Sequence, residues 1–184
     1  MRRELVERAT AGDHEAFSEL ARVGIRGLYA AARLILRDQV AAEDATQEAL
    51  VAAWRDIGGL RDPDRFEAWL HRLLVRECYR EARRGRRRTI VEGRVRPITE
   101  VAGDPGHQHA LRDQLERGFR RLDVEQRTAL VMHHYLGYSV PDIAEVLGIP
   151  VGTVKSRVHR GTVAMRVALD ADETAPALPE GHLA

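Results

Sequence analysis

The 184-residue chain has a single cysteine, Cys78, which excludes an internal disulfide and leaves no basis for a cysteine metal cage. Its expected role is that of a small, half-buried apolar residue. No stretch approaches the roughly 18 consecutive apolar residues of a membrane span, and the opening segment MRRELVERATAGD lacks an apolar core of signal-peptide length. A soluble, cytoplasmic protein without membrane insertion is therefore expected. Nucleophile elbow, phosphate loop and zinc-hydrolase motif are all missing. His107 and His109 fall in a Pro/Gly segment, and His133 and His134, being adjacent, are expected on different helix faces, so no metal-ligand spacing emerges. No enzymatic activity, metal or cofactor is expected. Lysine is nearly absent as well: 28 of the 29 Lys+Arg residues are Arg, and although the net charge is only +1 they are clustered, giving an uneven field.

Strand signals are also scarce. Alternation of period two is not sustained, and Ala, Leu, Arg and Glu fill segments with helical spacing, so the chain is all-α. The spacing predicts helices near 13–22, 25–37, 40–57 and 64–86, with Asp13 and Asp64 as candidate caps and Gly58-Gly59 ending the third. Residues 89–110, TIVEGRVRPITEVAGDPGHQHA, mix Pro, Gly and charge without period and mark a flexible linker between two helical domains. A second block of helices follows near 111–121, 124–136, 140–147 and 151–168. The expected division is 1–88, linker 89–110, 111–169, and a disordered tail 170–184.

Within the second block, SVPDIAEVLGIPVGTVKSRVHRG (139–161) reads as a helix-turn-helix. Ser139 is an N-cap with Asp142 three residues on, an acidic variant of the capping box, and Ile143, Ala144 and Leu147 point inward. Gly148 stops the helix, Gly148-Ile149-Pro150 turns, and Gly152-Thr153 offers a new N-terminus. At about 100° per residue, Val151, Val154, Val158, Met165 and Leu169 form a packing stripe opposite Lys155, Ser156, His159 and Arg160. These four polar residues span roughly 7 to 8 Å, about two to three base-pair steps in a major groove, and carry donors suited to base edges.

Two helices of the first block have opposite character. From Asp64, a stripe of Phe66, Trp69, Leu70 and Leu73 runs beside Arg72, Arg76, Arg80 and Arg83, and the segment ends in RRGRRR. Such a density of cations suits a phosphate backbone. Trp69, preceded by the loop GGLRDPDR (58–65) with Arg61 and Arg65, suggests a surface for an unstacked base. On the preceding helix Glu43, Asp44, Gln47 and Glu48 make an acidic face opposite Leu50, Trp54 and Ile57. That face is unsuited to DNA and suited to a basic protein surface.

In their order, the segments AEDATQEALVAAW (42–54), RFEAWLHRLL (65–74), the Arg cluster 83–88 and LDVEQRTALVMHHYLGYSVPDIAEVLGIPVGTVKSRVHRG (122–161) resemble the extracytoplasmic-function (ECF) sigma factors, group IV of the sigma-70 superfamily. The resemblance covers about residues 13–168. It implies a region 2 helical bundle and a region 4 helix-turn-helix domain that bind RNA polymerase core and direct promoter-specific initiation. Asp44, Gln47 and Glu48 match the family's DxxQE pattern, which implies docking on the clamp helices of the largest polymerase subunit; the flap is implied as a second polymerase contact. Arg61, Arg65, Trp69, Arg72, Arg76, Arg80 and Arg83 match the part that melts the minus-ten element and captures a flipped base. Lys155, Ser156, His159 and Arg160 match positions that contact the minus-thirty-five element. Residues 89–110 match the segment that threads the polymerase toward its RNA exit path, and an anti-sigma partner is implied by the family alone. Ala45, Thr46 and Ala49 are smaller than the residues common in the docking helix, which implies looser packing there. Two other readings remain at this point. A helix-turn-helix regulator acting without polymerase would share the strings IAEVLGI and GTVK, yet residues 1–88 show no strand pattern for a receiver half. An enzyme built on the histidines lacks a rigid ligand set.

Overall fold

The computed structural model describes residues 2–92 and 116–173, and among these there is no strand. Seven α-helices are described in full: α1 (Arg2–Thr10), α2 (His14–Leu36), α3 (Gln39–Asp56), α4 (Phe66–Glu92), α5 (Val124–Leu130), α6 (Val140–Leu147) and α7 (Val151–Glu173). Two 3-10 turns, Ile57–Gly59 and Pro63–Arg65, connect α3 to α4, and a π turn, Val131–Tyr135, extends α5. Residues 116–120 are helical too. The remainder of the expected linker and of the tail lies outside the described residues, as do His107 and His109.

Helix α1 is a departure from the sequence expectation, which began the fold at Asp13. Val6 and Ala9, three apart on one face, are both 1% exposed, so a short helix with few apolar residues is held by tertiary burial. Asp13 then caps α2, its Oδ1 accepting from the backbone N–H groups of Glu15 (3.0 Å) and Ala16 (3.1 Å). Where two helices were expected, α2 runs unbroken for 23 residues through Gly24 and Gly27. Each interior glycine costs about 1 kcal/mol relative to alanine, whereas each buried Leu or Ile contributes roughly 1.5 to 3 kcal/mol. Leu20, Leu28 and Ile35 on the inner face outweigh the glycines.

Helix α3, capped by Asp38 through the Ala41 N–H (2.9 Å), buries a face of small residues against α2 and α4. Ala42, Ala45, Ala49 and Ala53 have no exposure, and Thr46 has 4%, its hydroxyl donating to the Ala42 carbonyl (2.7 Å). The expectation of loose packing here is therefore corrected, because small side chains let the helix backbones approach rather than leaving space. Asp62, not Asp64, caps the turn into α4, its carboxylate accepting from the Asp64 N–H (3.0 Å). Helix α4 continues through Gly85 to Glu92, so the first four residues of the expected linker are helical; between Arg86 and Gly93 there is no glycine or proline.

In the second block the capping box is complete: Ser139 Oγ accepts from the Asp142 N–H (3.3 Å) while Asp142 Oδ2 accepts from the Ser139 N–H (3.1 Å). Gly148, at φ 65°, ends α6 in the left-handed region. Ile143 and Ala144 are buried as expected, with Val146 more enclosed than Leu147. Helix α7 starts at Val151, whose position one residue past Pro150 leaves it 41% exposed. Its packing line passes through Val154, Val158, Gly161, Met165, Ala168 and the half-buried Leu169; of the expected stripe only Val151 is exposed. Gly161 is the close-approach point with α5, since a Cβ there would lie 2.9 Å from Leu130 Cδ1 and 3.0 Å from its Cγ.

The buried residues of α1 to α4 are continuous with Val124, Val131, Met132, Ile143 and Val154 of the second block, and α6 packs on α4 while α5 packs on α2. We expect Gly161→Val to destabilise the protein by about 1 to 3 kcal/mol through overpacking against Leu130. A urea midpoint at or above that of the unsubstituted protein would contradict this.

Candidate nucleic-acid and protein interfaces

Lys155, Ser156, His159 and Arg160 are all exposed on α7, while Val154 beneath them has no exposure. Arg160 Nε donates to the Ser156 carbonyl (3.3 Å), which lays its exposed side chain back along the helix. The burial of Val154 and Gly161 on the other side fixes which face turns to solvent.

Arg61, Arg65, Arg72, Arg76, Arg80 and Arg83 are exposed on the loop and on α4, and Trp69 is half-buried with its ring centroid 6.0 Å from that of Phe66. The packing side of α4 consists of Phe66, Leu70, Leu73 and Leu74. Two carboxylates that the sequence reading passed over complete this helix. Glu77 is 3% exposed and accepts from Arg76 Nε (3.2 Å) and Arg80 Nη1 (2.7 Å); Glu81 is 8% exposed and pairs with Arg84. The signal was present as the i,i+4 spacing of the two Glu within RECYREARR, in line with the buried Leu73, Leu74 and Cys78. A carboxylate anchored inside and answered by a half-exposed guanidinium fixes the direction of the arginine more than it adds stability. Arg61, Arg72 and Arg83 have no ion pair among the described residues.

Helix α1 holds the loop before α4 in place. Arg3 pairs with Asp64 (2.6 Å) and Arg2 with Glu67 (2.6 Å). Asp64, expected as a cap, is instead a tether to α1.

On α3, Glu43, Asp44, Gln47 and Glu48 are exposed. Leu50 and Trp54, expected on the packing side, are only half-buried; alanines occupy that side. With Phe17, Ile25 and Tyr29 of α2 they line an apolar groove of about 600 Å³ beside Glu43 and Gln47. Trp54 is braced by His14 and Phe17, with ring centroids at 4.4 and 5.0 Å. Ile25 and Val51 on the groove's rim are 43% and 44% exposed. Sequence reasoning missed the α2 half of this surface, because a helix pair, not one helix, makes the groove.

Beside the shared apolar core, the blocks are joined by a few polar contacts. His71 Nδ1 and the Tyr138 hydroxyl lie 2.8 Å apart, Arg65 pairs with Glu145, and Arg127 Nε donates to the Ile35 carbonyl (2.6 Å). Burial holds His71 below its ordinary pKa, with Glu67 opposing and Arg2 assisting. Tyr138 is pushed up to about 12 by burial and by Glu67 and Asp142, so its hydroxyl stays protonated. In the π turn the rings of His133, half-buried, and His134, exposed, lie 4.7 Å apart, and His133 Nδ1 donates to the Tyr138 carbonyl (2.9 Å). Cys78 has no exposure and burial pushes its thiol up to about 12, so it is more enclosed than expected and inert. Among the described residues, no group of three or more His, Cys, Asp or Glu is placed to hold a metal ion, and no helix is long and apolar enough to cross a membrane.

Residues 20–88 match the model for Sigma-70 region 2 and residues 112–165 that for Sigma-70, region 4. The chain is 37% identical over 159 residues to the ECF RNA polymerase sigma factor SigM of Mycobacterium tuberculosis, covering 85% of this chain and 79% of that protein. The chain belongs to the ECF sigma factors. It is 31% identical over 188 residues to the RNA polymerase sigma-H factor of Pseudomonas aeruginosa, with 90% and 92% of the two chains covered. Among solved structures, it is similar to CnrH in complex with the cytosolic domain of CnrY (TM-score 0.66, 30% identity, 93% and 98% covered). It is also similar to RpoE in complex with the anti-sigma factor NepR from Bartonella quintana (TM-score 0.70, 28% identity, 85% and 98% covered). This sigma factor is thus a transcription-initiation protein that binds RNA polymerase and promoter DNA, not an enzyme, and the reading as a regulator acting without polymerase is not supported.

Because His71 has a lower pKa folded than unfolded, the unfolded chain takes up a proton first as pH falls. Its contribution is fully present above about 6.5 and is lost as the pH drops below that value. Urea midpoints measured at about pH 7.5 and pH 5.5 should differ less in His71→Gln than in the unsubstituted protein. Equal differences would show that His71 does not set this dependence.

Proposed function

We propose that this sigma factor reads promoters at two points while held on polymerase by a third surface. Asp44, Gln47 and Glu48, backed by the groove between α2 and α3, dock on the clamp helices of the largest polymerase subunit. The loop 58–65 with Arg61 and Arg65, and the α4 face of Trp69, Arg72, Arg76, Arg80 and Arg83, engage and open the minus-ten element. Lys155, Ser156, His159 and Arg160 read the minus-thirty-five element, and the second block contacts the flap. The observation that carries this reading is the segregation of charge onto separate exposed faces: acid and an apolar groove on α2 and α3, arginine on α4, hydrogen-bonding cations on α7.

Opening duplex DNA costs about 1.4 kcal/mol per stacked step, and capture of a flipped base by a site at Trp69 offsets part of it. Glu77 supports this role by aiming Arg76 and Arg80. The Arg65–Glu145 pair is exposed at both ends and worth only about 0 to 1 kcal/mol, so DNA displaces it at little cost.

The functional division follows the same faces: 1–88 as the docking and minus-ten unit, 89–110 as the linker, 111–169 as the minus-thirty-five unit, and 170–184 as a tail. The two family matches, separated between residues 88 and 112, support it. Two units on one linker gain effective concentration when both elements are correctly spaced. The protein is placed in the cytoplasm, where its polymerase acts. An anti-sigma protein is a further partner, supported by the anti-sigma complex of the similar RpoE.

Run-off transcription with core polymerase on genomic DNA, followed by mapping of start sites, tests the function directly; no start sites above those of core alone would overturn it. Lys155→Ala or Arg160→Ala should weaken upstream-element binding by about 1 to 3 kcal/mol at one or two base positions. Unchanged base preference in a randomised-site selection would remove these residues from the reading face. Asp44→Arg combined with Glu48→Arg should abolish co-purification with core polymerase while DNA binding persists, and undiminished co-purification would place the docking surface elsewhere.

A further inference from the structure

Helix α1 runs beside the loop 58–65 from one end to the other. The carbonyl of Thr10, its last residue, lies 3.9 Å from the place that a Cβ on Gly58 would take. At the opposite end of the helix Arg3 Nη1 pairs with Asp64 Oδ2 (2.6 Å) and Arg2 Nη1 with Glu67 Oε1 (2.6 Å). Between these points α1 packs on both 3-10 turns that make the loop. The helix precedes residues 20–88, the stretch matched as region 2, so that match does not include it.

Stability does not explain the two ion pairs. All four side chains are exposed, and pairs of that kind add little to it. Val6 and Ala9, buried beneath, already hold α1 on the core. Charge explains the pairs better. Asp64 and Glu67 stand at the start of α4, where the partial positive charge of a helix N-terminus favours acid. Arg61, Arg65 and Trp69 occupy the same end, and a carboxylate within a Debye length of about 8 Å repels a phosphate backbone that approaches them. Asp62 is a third carboxylate there, accepting from the Asp64 N–H and lying 3.9 Å from Arg65 Nε. Arg3 is aimed at this group from α1. Its Nε donates to Glu7 Oε1 (3.0 Å), one turn along the helix, while Nη1 reaches Asp64. Glu7 first and then Asp64 raise its pKa, and Asp62 adds to them.

We propose that α1 is part of the minus-ten site, with Arg3 cancelling the charge of Asp64 and Arg2 that of Glu67, so that the DNA backbone can reach Arg61, Arg65 and Trp69. The inference rests on the reading of loop 58–65 and α4 as the minus-ten surface, and it adds two residues that need not touch DNA themselves. Acid that starts α4 well and DNA that must approach the same end are thereby made compatible. Arg3 is the principal positioning residue, because Asp64 is the neighbour of Arg65 in the loop, whereas Glu67 lies past it on α4.

The test uses the full chain with core polymerase on a promoter whose start site has been mapped with the unsubstituted protein. Arg3→Gln should lower run-off transcription and the permanganate reactivity of minus-ten thymines about three- to tenfold at low salt, and reduce the slope of log promoter affinity against log salt by about one. Arg3→Lys, which keeps the cation, should stay within about twofold of the unsubstituted protein. Arg3→Gln combined with Asp64→Asn should recover most of the loss, since no uncovered carboxylate remains at position 64 although the ion pair is gone. Co-purification with core and base preference at the upstream element should be the same in all of them. Unchanged opening in Arg3→Gln overturns the inference, and so does a loss that Asp64→Asn fails to relieve, which gives α1 a structural role only. Arg61→Ala and Arg65→Ala report on the site itself. If they too leave opening intact, the minus-ten reading fails and the inference with it; a loss in them without one in Arg3→Gln rejects the inference alone.

Discussion

The close contact of α3 with α2 and α4 determines where every other surface of the first block can lie. Ala42, Ala45, Ala49 and Ala53 have no exposure, and with Cβ as their only side-chain atom they let three helix backbones come together. Once that face is committed, Asp44, Gln47 and Glu48 must turn outward on one side, and the α4 arginines must turn outward on another. Larger residues on α3 would part the helices and shift both surfaces at once. The groove between α2 and α3 exists because Leu50 and Trp54 stand to the side of this alanine face, not on it.

Charge is then separated along a chain whose sum is close to neutral. Acid collects on the exposed face of α3, while arginine collects on α4, at the end of α2 and before α5. Where arginine is dense the protein manages it in different ways. Glu77 and Glu81, nearly buried, fix the direction of three α4 guanidiniums, and Arg127 lies against backbone carbonyls. Arg61, Arg72 and Arg83 stay in water. Arginine suits all of these uses because its charge survives burial and its donors are spread over a rigid fork.

The features that sequence reasoning placed correctly are those decided by a few neighbouring residues. Ser139 with Asp142 and the left-handed Gly148 make a helix-turn-helix from local hydrogen bonds, and Asp13 caps its helix in the same way. The exposure of Lys155, Ser156, His159 and Arg160 follows from helical period once Val154 is inside. The errors arose where a distant contact outweighed a local preference. Gly24 did not break α2, because Leu20 and Leu28 are buried on both sides of it. Helix α1 forms because Val6 and Ala9 find a core elsewhere in the chain. Val151 looked like the start of a packing stripe, but as the first residue of α7 it lies beyond the neighbours that cover Val154.

The sequence by itself determined the all-α class, the helix-turn-helix with its four outward side chains, the acidic and basic helices and the family they resemble. Each of these rests on period, capping chemistry and residue type within a few turns of helix. Only the tertiary structure decided that Glu77 sits under the arginines, that α2 and α3 share an apolar groove, that α1 tethers Asp64 and Glu67, and that Arg127 reaches the Ile35 carbonyl. Those pairings join residues far apart in the chain, and their energies depend on burial and distance, which exist only after the helices have packed.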